Sequence, residues 1–288
     1  NYMAVTVWVG DEKLYAYGDR PTSSFGVPLG QLYLIVDLPA SAQGQELRAE
    51  ISSRWAIQPE QLTGRTYYGT RGNIRSLVFD SNTGAFIFGF LSLIFGALFL
   101  LLSACLALKR NKAYTPYNGF LYLGLFIFLA GLWVVTDSNL PQFITAHVEP
   151  VFYTSFFSFM LMPVALLFFI RETKMHGNRV VEACILLLLV NMAVSSCLHL
   201  AGLVPLMDSV LATHALLFIC VVVLLVVCIR EEWVYHNHTL REIWIGLAAL
   251  GASALLAIVQ FYVSPMSDNS FFFRIGLLVF IILLCVSA

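Results

Sequence analysis

The chain has 288 residues, of which 59% are hydrophobic and 11% charged, with a formal net charge of −1 and a mean hydropathy of +0.81. Soluble domains carry about 45–50% apolar and about 25% charged residues, so composition excludes an ordinary soluble fold and indicates a polytopic membrane protein. The nearly balanced charge supports no nucleic-acid partner.

Residues 1–80 change character every few positions. Ala4–Val9 is β-branched and aromatic, Gly10-Asp11 supplies turn chemistry, and Lys13–Tyr17 follows, which predicts a β-hairpin. Gln31–Asp37 reads as a further strand ended by Pro39, and Glu46–Ser52 alternates polar and apolar as a half-buried strand does. Thr66–Gly69 and Ile74–Phe79 add two more candidates. The expectation is a partial β-sandwich outside the membrane, completed by strands that precede Asn1. The first residue is not Met and the last apolar run stops at Ala288, so more sequence is expected on both sides. Tyr15, Tyr17, Trp55, Tyr67 and Tyr68 are its candidate ligand-facing aromatics, for a small external ligand such as a carbohydrate; strand packing is the competing explanation.

Gly84–Leu108 then runs 25 residues without a charge, about 37 Å as a helix at about 1.5 Å per residue, against a hydrocarbon core of about 30 Å. Six more apolar runs follow at about 117–135, 151–170, 183–200, 210–229, 243–263 and 271–288, giving seven predicted membrane helices over 84–288. The first, third and fifth connectors carry Lys109, Arg110, Lys112, Arg171, Lys174, Arg179, Arg230 and Arg241, whereas the second, fourth and sixth carry no Lys or Arg. By the positive-inside tendency the odd connectors face the cytoplasm, with the β region outside and the C-terminus inside. Trp133, Tyr153 and Tyr262 fall at outer ends and Tyr114, Tyr117, Trp233 and Trp244 at inner ends, as interfacial anchors do.

Polar groups within spans are costly in lipid and so are candidates for function: Asn118, Glu182, Asn191, His199, His214, Gln260 and Arg274. Asn191, near mid-span, is suited to an interhelical hydrogen bond, Arg274 to pairing with Asp268, Asp137 or Glu149, and His199 and His214 to meeting across the fourth connector. Gly89, Ser92, Gly96 and Ser103 form a small-residue stripe on the first run, suited to close packing within the bundle or against a second copy of the chain. Pro163 removes a backbone donor inside the third run and is a candidate pivot. The six cysteines all lie in apolar runs and read as small buried hydrophobes. His236 and His238 lack a third spaced ligand, and no phosphate loop, nucleophile elbow or catalytic carboxylate pair occurs. No catalytic residue, metal site or cofactor is expected in this chain.

Four lysines occur, Lys13, Lys109, Lys112 and Lys174, and none lies in the last run, so a retinal Schiff base there is excluded. The stretches VWVGDEKLYAYGD, GQLYLIVDLP, GQELRAEISS and YYGTRGNI resemble the jelly-roll domain of the bacterial seven-transmembrane receptors with diverse intracellular signalling modules. KRNKAYTPYNGFLYLGLFIFLAGLWVVTDSNLPQF and FFSFMLMPVALLFFIRE resemble the second and third spans of that family, as found in members ending in a GGDEF (diguanylate cyclase) domain. The resemblance implies a multi-pass sensor of the bacterial inner membrane that receives a signal outside and regulates a cytoplasmic output domain in cis, which residues 1–288 do not contain. The competing classes are a transporter or channel, which needs a polar site at the midplane, and an integral-membrane enzyme, for which only the His236/His238 loop speaks.

Single cysteines introduced in the Thr136–Pro150 connector should react with an impermeant maleimide on intact cells, and those in Arg171–Arg179 only after permeabilisation. The reverse pattern contradicts the orientation.

Overall fold

The structure is a computed structural model that describes residues 3–17, 34–53, 66–108, 117–138, 140–145, 148–175, 177–235, 241–263 and 270–287. They form two compact units, one of Asn1–Gly84 with Asn139–Tyr153 and one of Ala85–Ser138 with Thr154–Ala288.

In the first unit, β1 (Met3–Val9) and β2 (Glu12–Tyr17) make the hairpin that the Gly10-Asp11 turn foretold; Gly10 takes a φ of 55°, a left-handed value suited to glycine. β3 (Leu47–Ser53) pairs on the other side of β1, giving a three-stranded antiparallel sheet in the order β2-β1-β3. Cross-strand partners share a face, so Val5, Val7 and Val9 lie with Tyr17, Tyr15 and Glu12 on one side and with Ile51, Ala49 and Leu47 on the other. The three valines are buried. A bulge beside Val7 and Trp8 leaves Leu14 without a register partner.

This sheet is smaller than the expected sandwich, and the described residues show no jelly-roll. Of the expected strand Gln31–Asp37, residues 31–33 lie outside the described residues and 34–37 have irregular backbone, as has Thr66–Gly69, another expected strand. Ile74–Phe79, also expected as a strand, is helical. The reason is local and cooperative. Thr70 caps the helix by accepting from Asn73 N at 3.3 Å, and Ile74 N donates to the Thr70 carbonyl at 3.0 Å. The segment also adjoins a long apolar helix that needs no new nucleus to extend backwards. The result is one helix, α1 (Arg71–Leu108), 38 residues long.

The other helices are α2 (Tyr117–Asp137), α3 (Val148–Lys174), α4 (Arg179–Leu200), α5 (Val210–Tyr235), α6 (Arg241–Val263) and α7 (Phe271–Ser287). Among the described residues six helices, α1 to α6, are long and apolar enough to cross a membrane, rather than the seven expected. The seventh run folds as α7, but its 17 residues give about 26 Å at about 1.5 Å per residue, short of a hydrocarbon core of about 30 Å.

In the second unit α1 and α2 pack backbone against backbone. A Cβ built on Gly96 would meet Phe128 N at 2.5 Å, and one on Gly131 would meet the Gly89 carbonyl and Leu93 N, each at 2.7 Å. A Cβ on Gly124 would lie 3.1 Å from the Gly96 carbonyl. The two backbones therefore touch where glycine faces glycine. Elsewhere α1 turns Ile87, Leu91, Ile94, Leu98 and Leu101 outward, an apolar surface suited to lipid. The buried core is built from α2 to α7 and includes Phe126, Ala130, Ile170, Leu247, Leu277 and Phe280.

Gly96→Ala should lower stability by about 1–3 kcal/mol, the usual cost of overpacking, because the obstructing atoms are Phe128 backbone. Gly72→Ala, with nothing within 4 Å of the added Cβ, should cause no loss. Thermal denaturation in detergent separates the two, and equal midpoints would show that the glycine contact carries no energy.

Candidate functional site

Of the aromatics expected at an external ligand surface, the sheet brings Tyr15 and Tyr17 to one face. Both are partly buried, on the valine face of the sheet. Burial raises the Tyr17 phenol above its ordinary value near 10, and the charges of Tyr15 and Glu149 add to the rise; burial also raises Tyr15. Tyr67 and Tyr68 are exposed in the irregular stretch before α1, and Trp55 lies outside the described residues. On the opposite face Arg48 sits over the Trp8 ring, 5.3 Å from its centroid.

Glu149 exposes what the sequence reading missed. It belongs to the first turn of α3, and the second connector, with its Pro141–Phe143 3-10 turn, folds into the same unit as the sheet. Phe143 packs on Phe79 of α1 at 5.1 Å between ring centroids. Both α1 and α3 therefore run out of the sheet unit into the bundle, and no local sequence signal marks the second of these exits.

Inside the bundle, three of the polar groups flagged from sequence, Asn118, Asn191 and His214, bond from helix to helix. Asn191 of α4 donates to Thr213 Oγ1 of α5 at 2.9 Å. Thr213 in turn donates to the Ser209 carbonyl at 3.0 Å. Asn118 of α2 donates to Glu172 of α3 at 3.3 Å, and the other Glu172 oxygen takes Arg171 at 2.7 Å. Arg274 lies over the Phe271 ring at 5.8 Å, and its Nε donates to the Ser270 carbonyl at 3.4 Å. Trp244 of α6 donates its indole N–H to Glu232 of α5, a carboxylate only 9% exposed. Glu232 lies on α5 because that helix continues beyond the apolar run through Tyr235.

The densest constellation is aromatic. Trp133 of α2 packs against Phe159 of α3 at 5.6 Å and Phe273 of α7 at 5.1 Å. Phe159 also meets the His214 ring of α5 at 5.5 Å, and His214 meets Phe261 of α6 at 5.6 Å. His214 Nδ1 and the Tyr262 hydroxyl share a hydrogen bond of 3.2 Å, its direction set by the imidazole tautomer. Five helices thus meet through one ring cluster with a single imidazole in it. Tyr262 and Trp244 were legible only as interfacial anchors, because an aromatic with one polar tip serves both purposes.

Pro163 lies on α3 one turn beyond Phe159, whose carbonyl would have taken the missing proline N–H. Gly89, Ser92, Gly96 and Ser103 are all buried on α1, and Gly89, Ser92 and Gly96 lie on the face against α2. Their partners carried a signal in the sequence: Gly89 and Gly96 are seven apart, as are Gly124 and Gly131 on the next run. Among the described residues no three His, Cys, Asp or Glu side chains gather as a metal-ligating cluster, and His236 and His238 lie outside those residues. No protein-family model, curated protein or solved structure matches this chain.

Proposed function

We propose that the chain is the sensory module of a transmembrane receptor: the sheet unit receives a signal on the outer side, and the helical bundle passes it to a cytoplasmic output domain of the diguanylate cyclase type. The class is the one the sequence resembles, the bacterial seven-transmembrane receptors with diverse intracellular signalling modules. The seventh crossing by α7, the jelly-roll character of the external part, the outward placement of the N-terminus and the inner-membrane location belong to this proposal.

The observation that carries the reading is the continuity of α1. At about 1.5 Å per residue its 38 residues span about 57 Å, roughly twice what a bilayer core needs. Its first turns are polar (Arg71, Asn73, Arg75, Ser76, Asp80) and belong to the sheet unit, while the rest belongs to the bundle. A flexible tether would dissipate a movement, whereas an unbroken helix carries rotation or translation along its length. The polar contacts inside the spans, such as Asn191 with Thr213, tie neighbouring helices together, as packing of a bundle requires. A ligand shifts such a module only by its differential affinity for two helix arrangements.

The test is a chimera in which a diguanylate cyclase catalytic domain follows Ala288, with residues inserted between Asp80 and Ser81. Two inserted residues rotate the helix by about 200° and seven by about −20°, close to the native phase. Cyclic dinucleotide output should change with two and return with seven. Output independent of the insertion length contradicts the proposal.

A further inference from the structure

The two faces of the sheet are unlike. One carries the buried Val5, Val7 and Val9. On the other, the register sets three side chains in one cross-strand row: Lys13 of β2, Trp8 of β1 and Arg48 of β3. The bulge beside Trp8 is what brings Lys13, rather than Leu14, opposite it. Neighbouring strands lie about 4.8 Å apart, so the two cationic residues stand about 10 Å apart at their backbones with an indole between them.

The donors of this row are not used within the protein. Among the described residues Arg48 makes no hydrogen bond or ion pair; its contact is the Trp8 ring, 5.3 Å from guanidinium carbon to centroid. Glu50, two residues along β3 on the same face, leaves it unpaired. Trp8 Nε1 is shielded from solvent and has no hydrogen-bond partner. Buried donors are nearly always paired, and an unpaired one carries its whole desolvation cost. Packing alone would be served as well by phenylalanine, which has no N–H to satisfy. Arg48, the side chain over that ring, is itself exposed, as is Lys13. A planar cation stacked on an indole is held ready for a ligand, so less freedom is lost when one binds.

We propose that this face of the sheet is a binding site for a small organic carboxylate. The Arg48 guanidinium takes the two carboxylate oxygens as a fork, and Trp8 Nε1 donates a further hydrogen bond to one of them. Lys13 supplies the second positive charge of the row. Glu50 repels a second negative group on its side, so a dicarboxylate lies with its other end toward Lys13. The site does not depend on the sensory reading; that its ligand is the receptor's signal rests on that reading.

Saturation-transfer NMR of succinate with the full chain in lipid nanodiscs, with empty nanodiscs as the blank, tests the site. Succinate should bind saturably, and more weakly as salt is raised. Arg48→Gln should abolish binding, and Trp8→Phe, which keeps a ring and removes the donor, should weaken it about tenfold. Arg48 is exposed, so if Trp8→Phe fails to fold, the Arg48→Gln arm decides alone. No saturable binding, binding that either folded variant leaves intact, or inorganic phosphate bound in preference to succinate overturns the proposal. In the diguanylate cyclase chimera, succinate that binds without changing cyclic dinucleotide output would remove its role as signal and leave the site standing.

Discussion

Where α1 crosses α2, two glycines on each helix bring the backbones within reach of one another, Gly89 against Gly131 and Gly96 against Gly124. In lipid there is no hydrophobic gain from helix association, since acyl chains are as apolar as leucine, so tight packing and hydrogen bonds must supply it. That constraint explains the division of labour in the bundle. α1 offers lipid a broad apolar face and spends its small residues on one partner, while α2 turns its opposite side to the core, placing Phe126 and Ala130 among the most buried residues of the chain. Trp133 and Asn118, near the two ends of α2, then engage α3 through Phe159 and Glu172.

From this clamp the rest follows. With α2 fixed to α1, α3 packs on a rigid pair and carries Pro163 in its interior, besides Pro150 in its first turn. Around Phe159 the rings of Trp133, His214, Phe261, Tyr262 and Phe273 bring α2, α3, α5, α6 and α7 to one place, so a change at the weakened turn has several neighbours to act on. α6 and α7 form the most extensive helix pair, with Gly276 seated against Ser253 and Gly246 against Phe280.

How much of this was legible in the sequence depended on the range of the determinant. The membrane helices were, because an uncharged run such as Gly84–Leu108 has no other stable setting; so was the hairpin, whose Gly10-Asp11 turn sits between two alternating segments. The helical state of Ile74–Phe79 was not, since its β-branched and aromatic residues favour a strand locally and only the adjoining long helix overrides them. The folding of Pro141–Phe143 and Glu149 into the sheet unit was not legible either, because tertiary contacts such as Phe79 with Phe143 leave no periodic trace. Of the candidate residues, Asn191 and the Gly89–Gly96 stripe were visible as types but not as pairs; Thr213, Gly124 and Gly131 had to be placed by the fold. Tyr15 and Tyr17 were visible as aromatics, and the register with Val7 and Val5 is what places them on one face of the sheet.

The account depends most on α1 being one stiff element from Arg71 into the membrane. Hydrogen–deuterium exchange on the chain in nanodiscs reads this directly at the amides of Phe79–Gly84, where the polar turns meet the apolar run. Slow exchange there, continuous with the residues that follow and far slower than at Tyr67–Gly69, is the expected result. Exchange at Phe79–Gly84 as fast as at Tyr67–Gly69 would mean a flexible joint between the sheet unit and the bundle, and would contradict the account.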